Sequence, residues 1–124
     1  MSDELSKLPP NVQEKLLRLQ QLQQTLQTIL AQKQQVDMEK TEVDQTMAEL
    51  QKTPDDSTIY KAIGSLLVKA EKTKVNEELV ERKELLETRT TVLARQEERI
   101  RSQIKESQTK LQEDLNPVSQ APSS

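Results

Sequence analysis

Three pairs of adjacent carboxylates, Glu77-Glu78, Glu97-Glu98 and Glu113-Asp114, are the first candidates for chemistry in this sequence. A general acid–base pair needs surroundings that push two carboxyl pKa values apart, within reach of one substrate. Here each pair stands in a run of Gln, Lys, Arg and Glu, the pattern of a solvated helix face. The chain has neither Cys nor His. Disulfides, structural zinc and the common nucleophile–base arrangements therefore lack their residues. No enzymatic activity, metal site or cofactor is expected. The residues with binding potential are apolar instead: a central run within Ser57 to Lys72, and extra leucines toward both ends.

The 124 residues are 32% hydrophobic and 31% charged, with one Tyr, no Phe and no Trp. Aromatic rings supply much of the bulk of globular cores, so a compact single-chain globule is not expected. The apolar residues are periodic, which favours long helices over disorder. A net charge of −3 with both signs interspersed offers no concentrated basic surface for nucleic acid. No apolar run approaches a membrane span, and Met1 to Lys7 is too polar for a signal peptide. The expected location is the cytoplasm.

Leu8-Pro9-Pro10-Asn11 predicts a helix start within a residue or two of Pro10, with Asn11 as a candidate cap. From there to Lys52 no Gly or Pro interrupts a sequence of good helix formers. Leu22, Ile29, Val36, Val43 and Leu50 recur every seven residues. Val12, Leu19, Leu26, Lys33, Lys40 and Met47 form the companion series, and the two together make a coiled-coil seam. Thr53-Pro54-Asp55-Asp56 stops this helix. A second is expected from about Lys74 to Asp114, capped by Thr73 or a neighbour. Its seam is Leu79, Leu86, Leu93 and Ile100 with Lys83, Thr90, Glu97, Ile104 and Leu111. Asn116-Pro117 ends it, and the tail from 116 to 124 is expected to be disordered.

Between the helices, Ile59, Tyr60, Ile63 and Val68 favour a pleated strand surface, and Gly64-Ser65 suits a two-residue turn, giving a β-hairpin over about 57–71. That turn puts Ile59, Ile63, Leu66, Val68 and Ala70 on one face, broken only by Lys61. Thr58, Tyr60, Ala62, Leu67, Lys69 and Glu71 take the other. Paired strand residues then have numbers with a constant total. The same total relates Leu50 to Leu79, Val43 to Leu86, Val36 to Leu93 and Ile29 to Ile100. The expected fold is therefore mainly α, a single domain over 1–124: a long antiparallel two-helix coiled coil with a β-hairpin at its closed end. Two strands alone are marginally stable and leave unpaired edges. Hairpins from several chains are accordingly expected to assemble into a β-barrel, with Ile59, Tyr60, Ile63, Leu66 and Val68 as the oligomerisation residues around the Gly64-Ser65 turn. The alternative within one chain is that these residues pack on the adjacent helix ends.

Taken in order, several stretches resemble the prefoldin beta subunits of the archaeal type: L-P-P-N-V-Q from Leu8, L-Q-Q-L-Q-Q-T-L-Q from Leu19, A-Q-K-Q-Q-V from Ala31, Y-K-A-I-G-S-L-L-V-K from Tyr60 and R-Q-E-E-R from Arg95. The resemblance covers nearly the whole chain. It implies a hexamer of two alpha-type and four beta-type subunits, with a double β-barrel body and six coiled-coil tentacles. Such a complex would be an ATP-independent chaperone that holds unfolded clients at the tentacle tips and passes them to a group II chaperonin. On this chain the tips correspond to Leu8 to about Leu22 and to about Ile104 through Val118. The expected client-binding residues there are Leu8, Val12, Leu16, Leu17, Leu111 and Leu115, with Leu5 and Val118 as further apolar residues. A coiled-coil scaffold or tether without chaperone activity is the alternative; it gives no reason for a hairpin in register with both helices.

Overall fold

The computed structural model describes residues 7–115; Leu5, Val118 and the expected tail fall outside them. The element order is α1 (Pro10–Lys52), β1 (Ile59–Ile63), β2 (Leu66–Ala70) and α2 (Lys72–Leu115). Pro10 opens α1 because its fixed φ is already helical and its missing N–H would be unpaired in a first turn anyway. Asn11 does not cap this helix. The preceding carbonyl does so: Pro9 O accepts the Val12 and Gln13 N–H groups, both at 3.0 Å, and Gln13 Nε2 donates to Leu8 O at 2.7 Å. At the far end the Thr53 N–H closes on Leu50 O at 3.1 Å and its hydroxyl on Glu49 O at 2.9 Å. Pro54 then ends the ladder.

α2 starts within two residues of the expected position near Lys74. It begins at Lys72, so Thr73 lies inside the first turn, and the Glu71 carbonyl takes the N–H of Val75 at 3.0 Å. Lys72 Nζ donates to Thr53 O at 2.7 Å and to Asp55 Oδ1 at 2.8 Å, tying the first turn of α2 to the loop that leaves α1. The hydrogen bond from Lys72, reinforced by its charge, holds the exposed Asp55 carboxyl below its ordinary pKa.

β1 and β2 pair antiparallel in the register Ile59↔Ala70, Tyr60↔Lys69, Lys61↔Val68, Ala62↔Leu67 and Ile63↔Leu66, the pairing set by a Gly64-Ser65 turn. Gly64 has φ 59°, and no non-Gly residue among those described has a positive φ. Positive then negative φ is the sign pattern of a type II′ turn, whose twist matches that of the strands. A Cβ at Gly64 would meet nothing within 4 Å, so a substitution there acts through the backbone alone. Gly64→Val is expected to destabilise the hairpin by about 1–2 kcal/mol. The readout is roughly 5- to 30-fold faster amide exchange across β1 and β2.

The chain divides into two compact units, one formed by Gln32–Leu93 and the other by residues 7–31 with 94–115. In the first, the hairpin unit, Val36, Val43 and Leu50 of α1 and Leu86 and Leu93 of α2 are buried. Met47, Leu79, Lys83 and Thr90 are half-buried beside them. Lys83 pairs with Asp44 at 2.8 Å and Arg82 with Glu39 at 3.8 Å, joining the end of α1 to the start of α2. The hydrogen bond from Lys83 to the Asp44 carboxylate, with its charge, raises the ammonium pKa.

In the second, the terminal unit, Val12, Leu22 and Ile29 of α1 and Leu111 of α2 are buried. Leu19, Leu26, Ile100 and Ile104 are half-buried, and Lys15 forms an ion pair with Asp114. Among the described residues no polar or charged side chain is buried. Exposed helical threonines, Thr25, Thr41, Thr88 and Thr109 among them, donate their hydroxyls to the carbonyl one turn back, which satisfies a side chain otherwise poorly suited to helices.

Candidate functional site: an uncovered hairpin and an apolar helix terminus

Strand alternation gives the hairpin two faces, and among the described residues neither is covered beyond its base. On the first, Ile59 and Ala70 at the base are half-buried, while Ile63, Leu66 and Val68 are 53%, 66% and 44% exposed. Packing on the adjacent helix ends thus accounts for the base pair of residues alone. On the second face Tyr60 is 62% and Leu67 73% exposed. Leu67 is the residue that sequence reasoning left out of the oligomerisation set. Its alternation with Lys69 and Glu71 marks a polar face, and only the absence of any cover on that side reveals an apolar one. Fully burying a side chain of this size is worth about 1.5–3 kcal/mol; with roughly half to three quarters of each still exposed, covering all five contributes on the order of several kcal/mol, within the roughly 4–15 kcal/mol cost of association.

In the terminal unit the expected client-binding residues separate into three groups. Leu17 and Leu115 are well exposed, and Leu8 and Leu16 are half-buried. Val12 and Leu111 are buried, at 2% and 8% exposure, and become accessible only where the helix ends separate. Both occupy seam positions of the heptad pattern and are filled by the partner helix within the unit. The ion pair of Lys15 with Asp114 lies in the same helix termini.

The three acidic pairs all lie on α2. One carboxylate of each is engaged by a cation on its own stretch of surface: Glu78 by Lys61, Glu97 by Arg101 at 2.7 Å and Asp114 by Lys15. They therefore serve as ion-pair partners on helix surfaces. Among the described residues no helix is long and apolar enough to cross a membrane.

Two long seam-forming helices joined through an apolar hairpin are features this chain shares with known proteins of one family. A family model described as "Prefoldin subunit" matches residues 13–117. The prefoldin subunit beta of Archaeoglobus fulgidus is 45% identical over 113 residues, covering 91% of this chain and 97% of the relative. That of Methanothrix thermoacetophila is 43% identical over 111 residues, covering 90% and 92%. The crystal structure of the prefoldin beta subunit from Thermococcus strain KS-1 superposes with a TM-score of 0.78 at 37% identity, covering 94% of this chain and 98% of that one. The beta2 subunit from the same strain shares the fold, with a TM-score of 0.65 at 21% identity over 73% of this chain and 97% of that one. The chain belongs to the prefoldin subunit family, a family of chaperone subunits that assemble with one another, and within it to the beta type.

Proposed function

We propose that this subunit takes part in an ATP-independent chaperone of two alpha-type and four beta-type subunits, joined through their hairpins into a β-barrel body. It holds unfolded polypeptides at the helix termini of the terminal unit and delivers them to a group II chaperonin in the cytoplasm. The protein is not an enzyme and binds no cofactor. The observation that carries client holding is the set of apolar side chains left outside the seam in the terminal unit, Leu17 and Leu115 above all. Leu8 and Leu16 extend that surface, and separation of the helix ends adds Val12 and Leu111. Binding of this kind is apolar and low in specificity, with six weak contacts combining by avidity. Nucleotide independence is supported by the single Gly of the chain, Gly64, which the turn occupies; a phosphate-cradling loop needs several.

The test replaces Leu8, Leu16, Leu17 and Leu115 together with Ser and measures aggregation of an unfolded client, with and without ATP. The expected result is a complex of unchanged mass that suppresses aggregation several-fold less well, with no response to nucleotide. Unchanged suppression would reject the client surface. Transfer is checked by adding a group II chaperonin to the client-loaded complex, where refolding should exceed that from release alone.

A further inference from the structure

Lys61 stands in the middle of β1, paired with Val68, on the face that carries Ile59, Ile63, Leu66, Val68 and Ala70. It is the one charge on that face. An exposed lysine ordinarily extends its ammonium into water, but Lys61 Nζ turns back to donate to Glu78 Oε2 of α2 at 2.5 Å. The apolar stem of the side chain thereby stays with the sheet while the charge is led off it. Both residues line a cleft of about 510 Å³ beside β1, together with Tyr60, Ala62, Leu79 and Arg82. In the isolated chain this pair has little to do. The two side chains are 44% and 54% exposed, and ion pairs so exposed contribute next to nothing to stability.

Covering the face changes that balance, because a buried ammonium without a counterion is strongly unfavourable, whereas one already paired and hydrogen-bonded is tolerated. We infer that Glu78 is the built-in counterion that lets Lys61 be covered by the hairpin of another prefoldin subunit, and that the docking surface opposite Lys61 is apolar, with no carboxylate of its own. This deepens the proposed assembly through the hairpin and rests on it. Glu78 is thus a positioning residue that acts on the interface through Lys61. A partner that carried an acid at that point would face Glu78 as a like charge, so the pair also discriminates between partners.

The experiment titrates the full-length chain with an alpha-type prefoldin subunit and compares four forms. Glu78→Gln is expected to weaken assembly at least about 30-fold while leaving the thermal melt of the isolated chain unchanged. Lys61→Met/Glu78→Gln, which removes the charge as well as its partner, is expected to restore affinity to within about threefold of the unsubstituted chain. Glu78→Gln with full affinity would overturn the inference, since Lys61 would then find its counterion on the partner. Failure of the double substitution to restore affinity would overturn it equally. Leu66→Asp separates this result from the assembly reading: if Leu66→Asp disrupts the complex and Glu78→Gln does not, only the counterion role falls.

Discussion

Leu66→Asp is expected to abolish assembly with other prefoldin subunits while leaving the helices of the isolated chain intact. Leu66 is 66% exposed, and substitutions at such positions in a free chain usually stay within about 0.5 kcal/mol. In an assembled body the same position would be covered, and an unpaired carboxylate there costs several kcal/mol in addition to the lost leucine burial. The combined penalty corresponds to assembly weakened by at least about a hundredfold. Native mass measurement with an alpha-type partner should lose the complex, while circular dichroism of the isolated chain keeps its helical signal. Leu17→Asp is the matched control. Leu17 is 60% exposed but lies in the terminal unit, so it should leave the complex mass unchanged and reduce client holding. A complex that survives Leu66→Asp would refute assembly through the hairpin.

The parts of the molecule legible in sequence are those whose determinants are local. A seven-residue apolar period names its own seam, and Leu22, Ile29, Val36, Val43 and Leu50 are all buried. The strand register follows from one residue, because Gly64 is the only Gly in the chain and its φ of 59° needs one. The departures occur where the deciding contact is distant or belongs to another molecule. The first turn of α2 is held by Lys72 reaching Thr53 and Asp55, residues 19 and 17 positions away, and no local cap signal records that. Leu67 illustrates the second kind. Alternation assigns it to a face, but whether a face is covered depends on what lies beyond the chain. Val12 and Leu111 belong with the legible part, since the heptad period places both in the seam and both are buried.

The same distinction gives the sharpest expectation for stability, at two consecutive leucines. Leu86 is 2% exposed and Leu85 is 60% exposed, although the two have the same chemistry and the same helix propensity. Leu86→Ala removes a buried side chain from the hairpin unit and leaves a cavity, at a cost of about 2–5 kcal/mol. Domain stabilities of about 5–15 kcal/mol make that a large fraction of the total, and the corresponding drop in Tm is roughly 10–20 °C. The seam of this unit has little reserve to absorb the loss. Around Leu86 it includes Lys83 and Thr90, both half-buried, with the Thr90 hydroxyl donating to Leu86 O at 2.9 Å. Leu85→Ala, by contrast, should change stability by no more than about 0.5 kcal/mol, because it touches no packed surface and alanine favours the helix. Thermal melts of the two variants decide the matter. Equal losses would place both leucines in packed surroundings and undo the seam assignment, whereas loss confined to Leu86 ties the stability of the unit to one narrow apolar stripe and leaves the opposite helix face free for other contacts.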